Sequence, residues 1–186
     1  TPEGREFLEQ FERNAESIAG RVGGAGSDKV GDTNFIVSVP RFYGTRALLQ
    51  RVSTRLTQAA GGSHPVLYLG LGRIRKVLPL IGSLESAFDM LPGRQTNVAA
   101  GQPIIGTPSE ALIDNFVERL SSNRACVIAP FRDQEADPLM KYFLRRCSQE
   151  NQITLLVALY AGEPIPEWIS QVHYQRLQID NPRGAV

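Results

Sequence analysis

The amino-acid sequence predicts an α/β protein, a three-layer αβα sandwich around a mostly parallel sheet. Three observations predict it. Short apolar runs recur along the chain with segments of helical period between them. The runs near residues 67, 127 and 156 are almost continuously apolar, as strands covered on both faces are. The runs alternate with helices rather than with each other, which requires crossover connections. At 186 residues, 42% hydrophobic and 21% charged, the chain is long enough for one domain with a sizeable core.

The elements follow in order. Residues 3–19 read as an amphipathic helix with Phe7, Phe11, Ala15 and Ile18 on one face. Gly20 then opens a stretch to Gly31 with five glycines in twelve residues, which reads as a flexible linker. Phe35 to Val39 is an apolar strand ended by Pro40. Thr45 to Ala60 is a helix that buries Leu48, Leu49, Val52 and Leu56. Val66 to Leu71 is a buried-type strand. Arg73 to Met90 has helical period, with Pro79 placed to kink or split it. Leu91 to Gly106 is a long loop rich in Gly and Pro.

Thr107-Pro108-Ser109-Glu110 is a helix start: a Thr cap, Pro in the first turn and Glu in the capping-box position. Ala125 to Ala129 is a strand, Asp137-Pro138 opens a helix through Cys147, and Ile153 to Tyr160 is a strand. A turn at Gly162–Pro166 and a short helix around Trp168 precede a closing strand, Tyr174 to Ile179. Five strands are therefore expected near residues 35, 67, 127, 156 and 177. The domain reading is an N-terminal helix over 1–19, a glycine-rich linker over 20–33 and an α/β domain over 34–186.

Charge and rare residues narrow the function classes. The net charge is +1, but no Asp or Glu occurs between Asp32 and Glu85. That stretch carries Arg41, Arg46, Arg51, Arg55, Arg73, Arg75 and Lys76, a one-sign field suited to phosphates or an acidic partner. Acidic segments elsewhere in the fold could equally neutralise it. Cys126 and Cys147 fall in apolar runs and read as buried reduced thiols, and His64 and His173 have no ligand-like spacing. No metal site is expected. No apolar run is long enough to span a bilayer, and no signal-peptide pattern is present. The expectation is an intracellular, cytoplasmic protein without a membrane partner, although a start at Thr1 leaves processing or truncation open.

One strand-to-turn segment carries a motif. Leu69-Gly70-Leu71-Gly72-Arg73-Ile74-Arg75-Lys76-Val77 resembles the phosphate loop G-x-x-x-x-G-K-[ST], with Gly70 and Lys76 at the right spacing. Arg75 replaces the second glycine and Val77 the hydroxyl residue. Gly70, Gly72, Arg73, Arg75 and Lys76 are the candidate ligand or anion-binding residues, since amides at a helix start and three cations favour negative charge. The plain alternative is a tight turn with a solvated Lys76.

The order of landmarks resembles the nucleotide-binding core of the AAA+ and STAND ATPases over about residues 41–180. Arg41-Phe42-Tyr43-Gly44-Thr45-Arg46 resembles the box before the phosphate loop, and Cys126 to Pro130 falls where the Walker B strand would lie. Ile153 to Tyr160 resembles the sensor strand, and Tyr174 to Asp180 resembles the closing strand. The resemblance implies a P-loop NTPase-like fold, and the departures imply lost hydrolysis. Val77 cannot ligand magnesium, Pro130 and Phe131 stand where an acidic pair would, and Ala158 and Tyr160 offer no sensor-like Asn or Thr.

The reading that follows is a catalytically inactive NTPase-like domain, regulatory or scaffolding, that binds a protein within a larger protein or assembly. Phe7, Phe11 and Ile18 are its interaction candidates. No cofactor is expected; the alternative is a nucleotide. The alternative is a flavodoxin-like or TIR-like domain that binds a small ligand around Pro40–Thr45, Gly70–Arg73 and Pro130–Asp133. Nucleic acid, bound through the basic stretch, ranks last for want of interleaved aromatics.

Overall fold

Helices and strands alternate along the chain in the computed structural model, which describes residues 1–24, 33–69, 108–133, 136 and 138–179. Ten elements are described: α1 (Pro2–Gly23), β1 (Asn34–Val39), α2 (Thr45–Ala60), β2 (Val66–Tyr68), α3 (Pro108–Ser122), β3 (Cys126–Pro130), α4 (Pro138–Ser148), β4 (Thr154–Tyr160), α5 (Glu167–Ser170) and β5 (Gln175–Leu177). The five strands form one sheet in the order β2-β3-β4-β1-β5, and every pairing is parallel. All five fall where strands are expected, near residues 35, 67, 127, 156 and 177. The sheet is wholly parallel.

Alternation along each strand splits the core in two. In β1, Phe35, Val37 and Val39 point into one cluster with α1 and α2, while Ile36 points into the other. In β4, Leu155, Val157 and Leu159 join α3, α4 and α5, while Leu156 and Ala158 join α1 and α2. Successive side chains leave opposite faces of a strand, so a strand covered on both sides must be apolar at every position. The central strands are so: β3 and β4 are buried at all but their end residues. On the α2 face, Leu48, Leu49 and Val52 are fully buried, and each such side chain contributes about 1.5–3 kcal/mol.

α1 is longer than its apolar face suggests. It runs through Gly20 and Gly23, into the stretch that reads as linker. Each interior glycine costs about 1 kcal/mol in a helix. Burial of Ala19 and Val22 against the α2 face offsets this. Gly23 also lets α1 approach α2 closely, because a Cβ there would sit 3.2 Å from Leu56 Cδ2. Glu12 on α1 pins the pair from outside, with Arg51 Nε and Arg55 Nη2 each 2.9 Å from its carboxylate. The remaining linker residues 25–32, the helical-period segment 73–90 and the loop 91–106 lie outside the described residues.

The strand order corrects the flavodoxin-like alternative. That arrangement places its first strand between the second and third, in the order 2-1-3-4-5. Here β1 lies between β4 and β5. Leaving β1, the chain must pass over β4 and β3 to reach β2, and it does so through α2 on one face. The steps β3→β4 and β4→β5 run the other way, through α4 and α5 on the opposite face.

Candidate functional site

The loops leaving β1 and β4 go to opposite faces of the sheet, although the two strands are neighbours in register from Asn34↔Leu155 to Val39↔Tyr160. A crevice outside the carboxyl ends of such a strand pair is where open α/β sheets place ligands. Three segments meet at this end. The turn Pro40–Gly44 follows β1, Phe131–Asp133 follows β3, and Ala161–Glu163 follows β4. Backbone bonds hold them level: Ala161 N–H donates to Val39 C=O at 2.9 Å, and Phe131 N–H donates to Ala158 C=O at 3.0 Å.

The turn after β1 is strained and outward. Tyr43 N–H closes it on Pro40 C=O at 3.1 Å. Phe42 occupies the third position with φ 65°, where turns of this kind ordinarily carry glycine. Left-handed backbone costs a bulky residue on the order of 1–2 kcal/mol. What fixes it is the next side chain. Tyr43 is buried, packs on Phe7 and Phe11 of α1 with ring centroids 5.4 and 5.8 Å away, and accepts a 2.6 Å hydrogen bond from Asn14 Nδ2. With Tyr43 drawn inward, the Phe42 ring is left fully in solvent, at 103% relative exposure.

Gly44, at φ 94°, then turns the chain into α2, a conformation that favours glycine. α2 has no side-chain cap and no acidic residue in its first turn. Tyr68 on β2 braces this start by donating its hydroxyl to Arg46 C=O at 3.1 Å. Arg41 and Arg46 are exposed, and neither is ion-paired among the described residues.

The segment after β3 is the opposite. Phe131 is 2% exposed and meets Trp168 edge-on, with centroids 5.5 Å apart. Arg132 lies over the Tyr160 ring at 4.5 Å, and its Nε reaches Glu163 Oε1 at 3.3 Å. Asp133 pairs with Lys141 Nζ at 3.1 Å. These residues occupy the end of the strand pair with their own contacts. A wider concavity of about 760 Å³ lies nearby, lined by Tyr142, Trp168 and Pro166 together with Glu110, Lys141 and Arg145. Its mixed charges favour no ligand class.

Gly70, Gly72, Arg73, Arg75 and Lys76 lie outside the described residues. β2, the strand before Gly70, is at the sheet edge, while the chain changes direction between β1 and β4. Of the interaction candidates on α1, Ile18 is 2% exposed and belongs to the core. Phe11 is half-buried against it, and Phe7 is 37% exposed beside Leu8. Burial pushes the Cys126 thiol up to about 12 and the Cys147 thiol higher, so both stay protonated at neutral pH. Among the described residues, no group of three or more His, Cys, Asp or Glu could hold a metal ion. Among the described helices, none is long and apolar enough to cross a membrane.

Sequence reasoning placed an alternative ligand site around Pro40–Thr45 but did not single out Phe42, the most exposed large apolar side chain described. The signal was present in Pro40-Arg41-Phe42-Tyr43-Gly44: a Pro and a Gly bracket two aromatics, and a tight turn can bury only one of two neighbours.

Comparison with known proteins bears on the fold. No family model matches the chain. No curated protein matches it either. Among solved structures it is similar to the Orc1 protein of Aeropyrum pernix, determined in complex with DNA, with a TM-score of 0.50 and 16% sequence identity. The likeness covers 93% of this chain and 44% of that one, so the chain spans less than half the length of that protein. At this identity the likeness shows a fold of the AAA+ P-loop ATPase kind, at a coarse level, and nothing finer.

Proposed function

We propose that this chain is an NTPase-like domain that works by binding rather than by hydrolysis, as a regulatory or scaffolding module within a larger protein or assembly. One observation carries the reading. At the end of β3, where hydrolysis needs an acidic pair to hold the metal and orient water, Pro130 is followed by a buried Phe131 locked on Trp168, and then by Arg132 stacked on Tyr160. Arg132, stacked and paired with Glu163, stands where a metal ion would need a carboxylate. Arg75 and Val77, in the phosphate-loop-like segment, support the same reading from sequence.

Its partner is an acidic protein face or another polyanion, met through the acid-free stretch that includes Arg73, Arg75 and Lys76. The coarse likeness to a protein solved with DNA keeps nucleic acid among these polyanions. Phosphate release from magnesium-ATP and magnesium-GTP tests the reading. We expect none above the protein-free rate. Turnover that requires magnesium and disappears in Lys76→Ala would overturn it.

A further inference from the structure

We propose that the turn Pro40–Arg46 is a contact site for single-stranded nucleic acid, with Phe42 as a stacking platform for a base and Arg41 and Arg46 as contacts to the flanking phosphates. The inference rests on the conformation of the turn and is independent of whether the domain hydrolyses nucleotides.

Three observations meet at this turn. Phe42 is fully exposed, whereas the other aromatics at this end of the sheet, Tyr43, Phe131 and Tyr160, are buried, half-buried or stacked. Its backbone is held in the left-handed region, so the exposure is built in by the closed turn and by the anchoring of Tyr43. A strained backbone persists only where its surroundings over-determine it, and such outliers concentrate at binding sites. The nearest cations in sequence, Arg41 and Arg46, are exposed and have no acidic partner among the described residues, unlike Arg51, Arg55 and Arg132.

One exposed aromatic ring flanked in sequence by two arginines with no ion partner among the described residues matches the chemistry of a single-strand site, which combines base stacking with backbone neutralisation. A protein pocket that received Phe42 would more naturally be met by an apolar rim, and the rim here is cationic. A duplex offers the ring no free base face, so single strands are the favoured form.

The test uses a labelled oligo-dT of about 15 nucleotides, followed by fluorescence anisotropy at low salt, a length that covers the ~4–16 nucleotides of such sites. Phe42→Ala should weaken binding about tenfold, and Phe42→Trp should preserve it. Arg41→Ala with Arg46→Ala should flatten the dependence of affinity on salt. An unchanged melting temperature for Phe42→Ala will separate lost contact from lost folding. A duplex of equal length should bind more weakly. No binding by the unmodified chain, or equal affinity in Phe42→Ala, would overturn the proposal. So would oligo-dT binding that is lost in Arg73→Ala with Arg75→Ala and unchanged in Phe42→Ala, the outcome expected of a polyanion held by the acid-free stretch instead.

Discussion

Pro40-Arg41-Phe42 and Pro130-Phe131-Arg132 contain the same three residue types, and both stand at the carboxyl ends of strands in one sheet. Their fates are opposite. In the first the aromatic is wholly exposed on a left-handed turn, and its arginine has no described ion partner. In the second the aromatic is buried against Trp168, and its arginine is stacked and ion-paired. Composition cannot distinguish them. The order of the last two residues and the demand of the next one can: Tyr43 takes the inward place after β1, whereas Phe131 takes it directly after β3. One end of the sheet therefore carries a turn that presents side chains and a segment that fills space.

The largest break in this comparison should come from removing the two aromatics. Phe131→Ala should cost about 3–5 kcal/mol in urea unfolding, as truncation of a buried aromatic does. Phe42→Ala should stay within about 0.5 kcal/mol of the unmodified chain. Equal losses at both sites would erase the distinction. Next comes the anchor. Tyr43→Phe removes the hydroxyl that accepts from Asn14 and should cost about 1–3 kcal/mol, with α1 loosened more than β3 or β4 in amide exchange. Smaller and opposite in sign is Phe42→Gly. It relieves the left-handed strain but frees the unfolded chain, so stability should hold or rise by up to about 1 kcal/mol. A fall of that size would mean the turn is not strained.

The smallest effect concerns pH. Hydrogen bonds from Arg55 and Arg51 hold the Glu12 carboxyl below its ordinary value. A depressed folded-state value means that this support for α1 is complete above the ordinary glutamate range and is lost as pH falls through the lowered one. Amide exchange along α1, corrected for its intrinsic pH dependence, should accelerate there while β4 stays protected. In Glu12→Gln that extra acceleration should vanish.

Much of the fold was legible because its signals are local and repeated. β1 to β4 announced themselves as apolar runs, because strands covered on both faces are apolar at nearly every position, whereas the edge strand β5, Gln175-Arg176-Leu177, was marked by alternation instead. The Thr45–Ala60 helix was legible to its ends, bounded by Gly44 and Gly61. The extension of α1 through Gly20 and Gly23 was not. Propensity argues against it, and only burial of Val22 against the neighbouring helix supplies the compensation. The strand order was equally invisible, because periodicity says which segments are strands but not which are neighbours. That gap bears on the site. A phosphate-loop-like spelling drew attention to residues after the edge strand, while the reversal of direction lies at β1 and β4. The outward Phe42 lay in a turn, where no period operates.

Trp168, the single tryptophan, reports directly on the filled end of β3 because its ring rests on Phe131. Its fluorescence during titration with magnesium-ATP tests whether that end is closed to a metal-bound nucleotide. The account predicts a flat response with and without magnesium, and a spectrum in Phe42→Ala identical to that of the unmodified chain. A saturable change that needs magnesium and is lost in Lys76→Ala would show a metal-bound nucleotide acting on the Phe131–Trp168 contact, and would contradict a strand end closed to it.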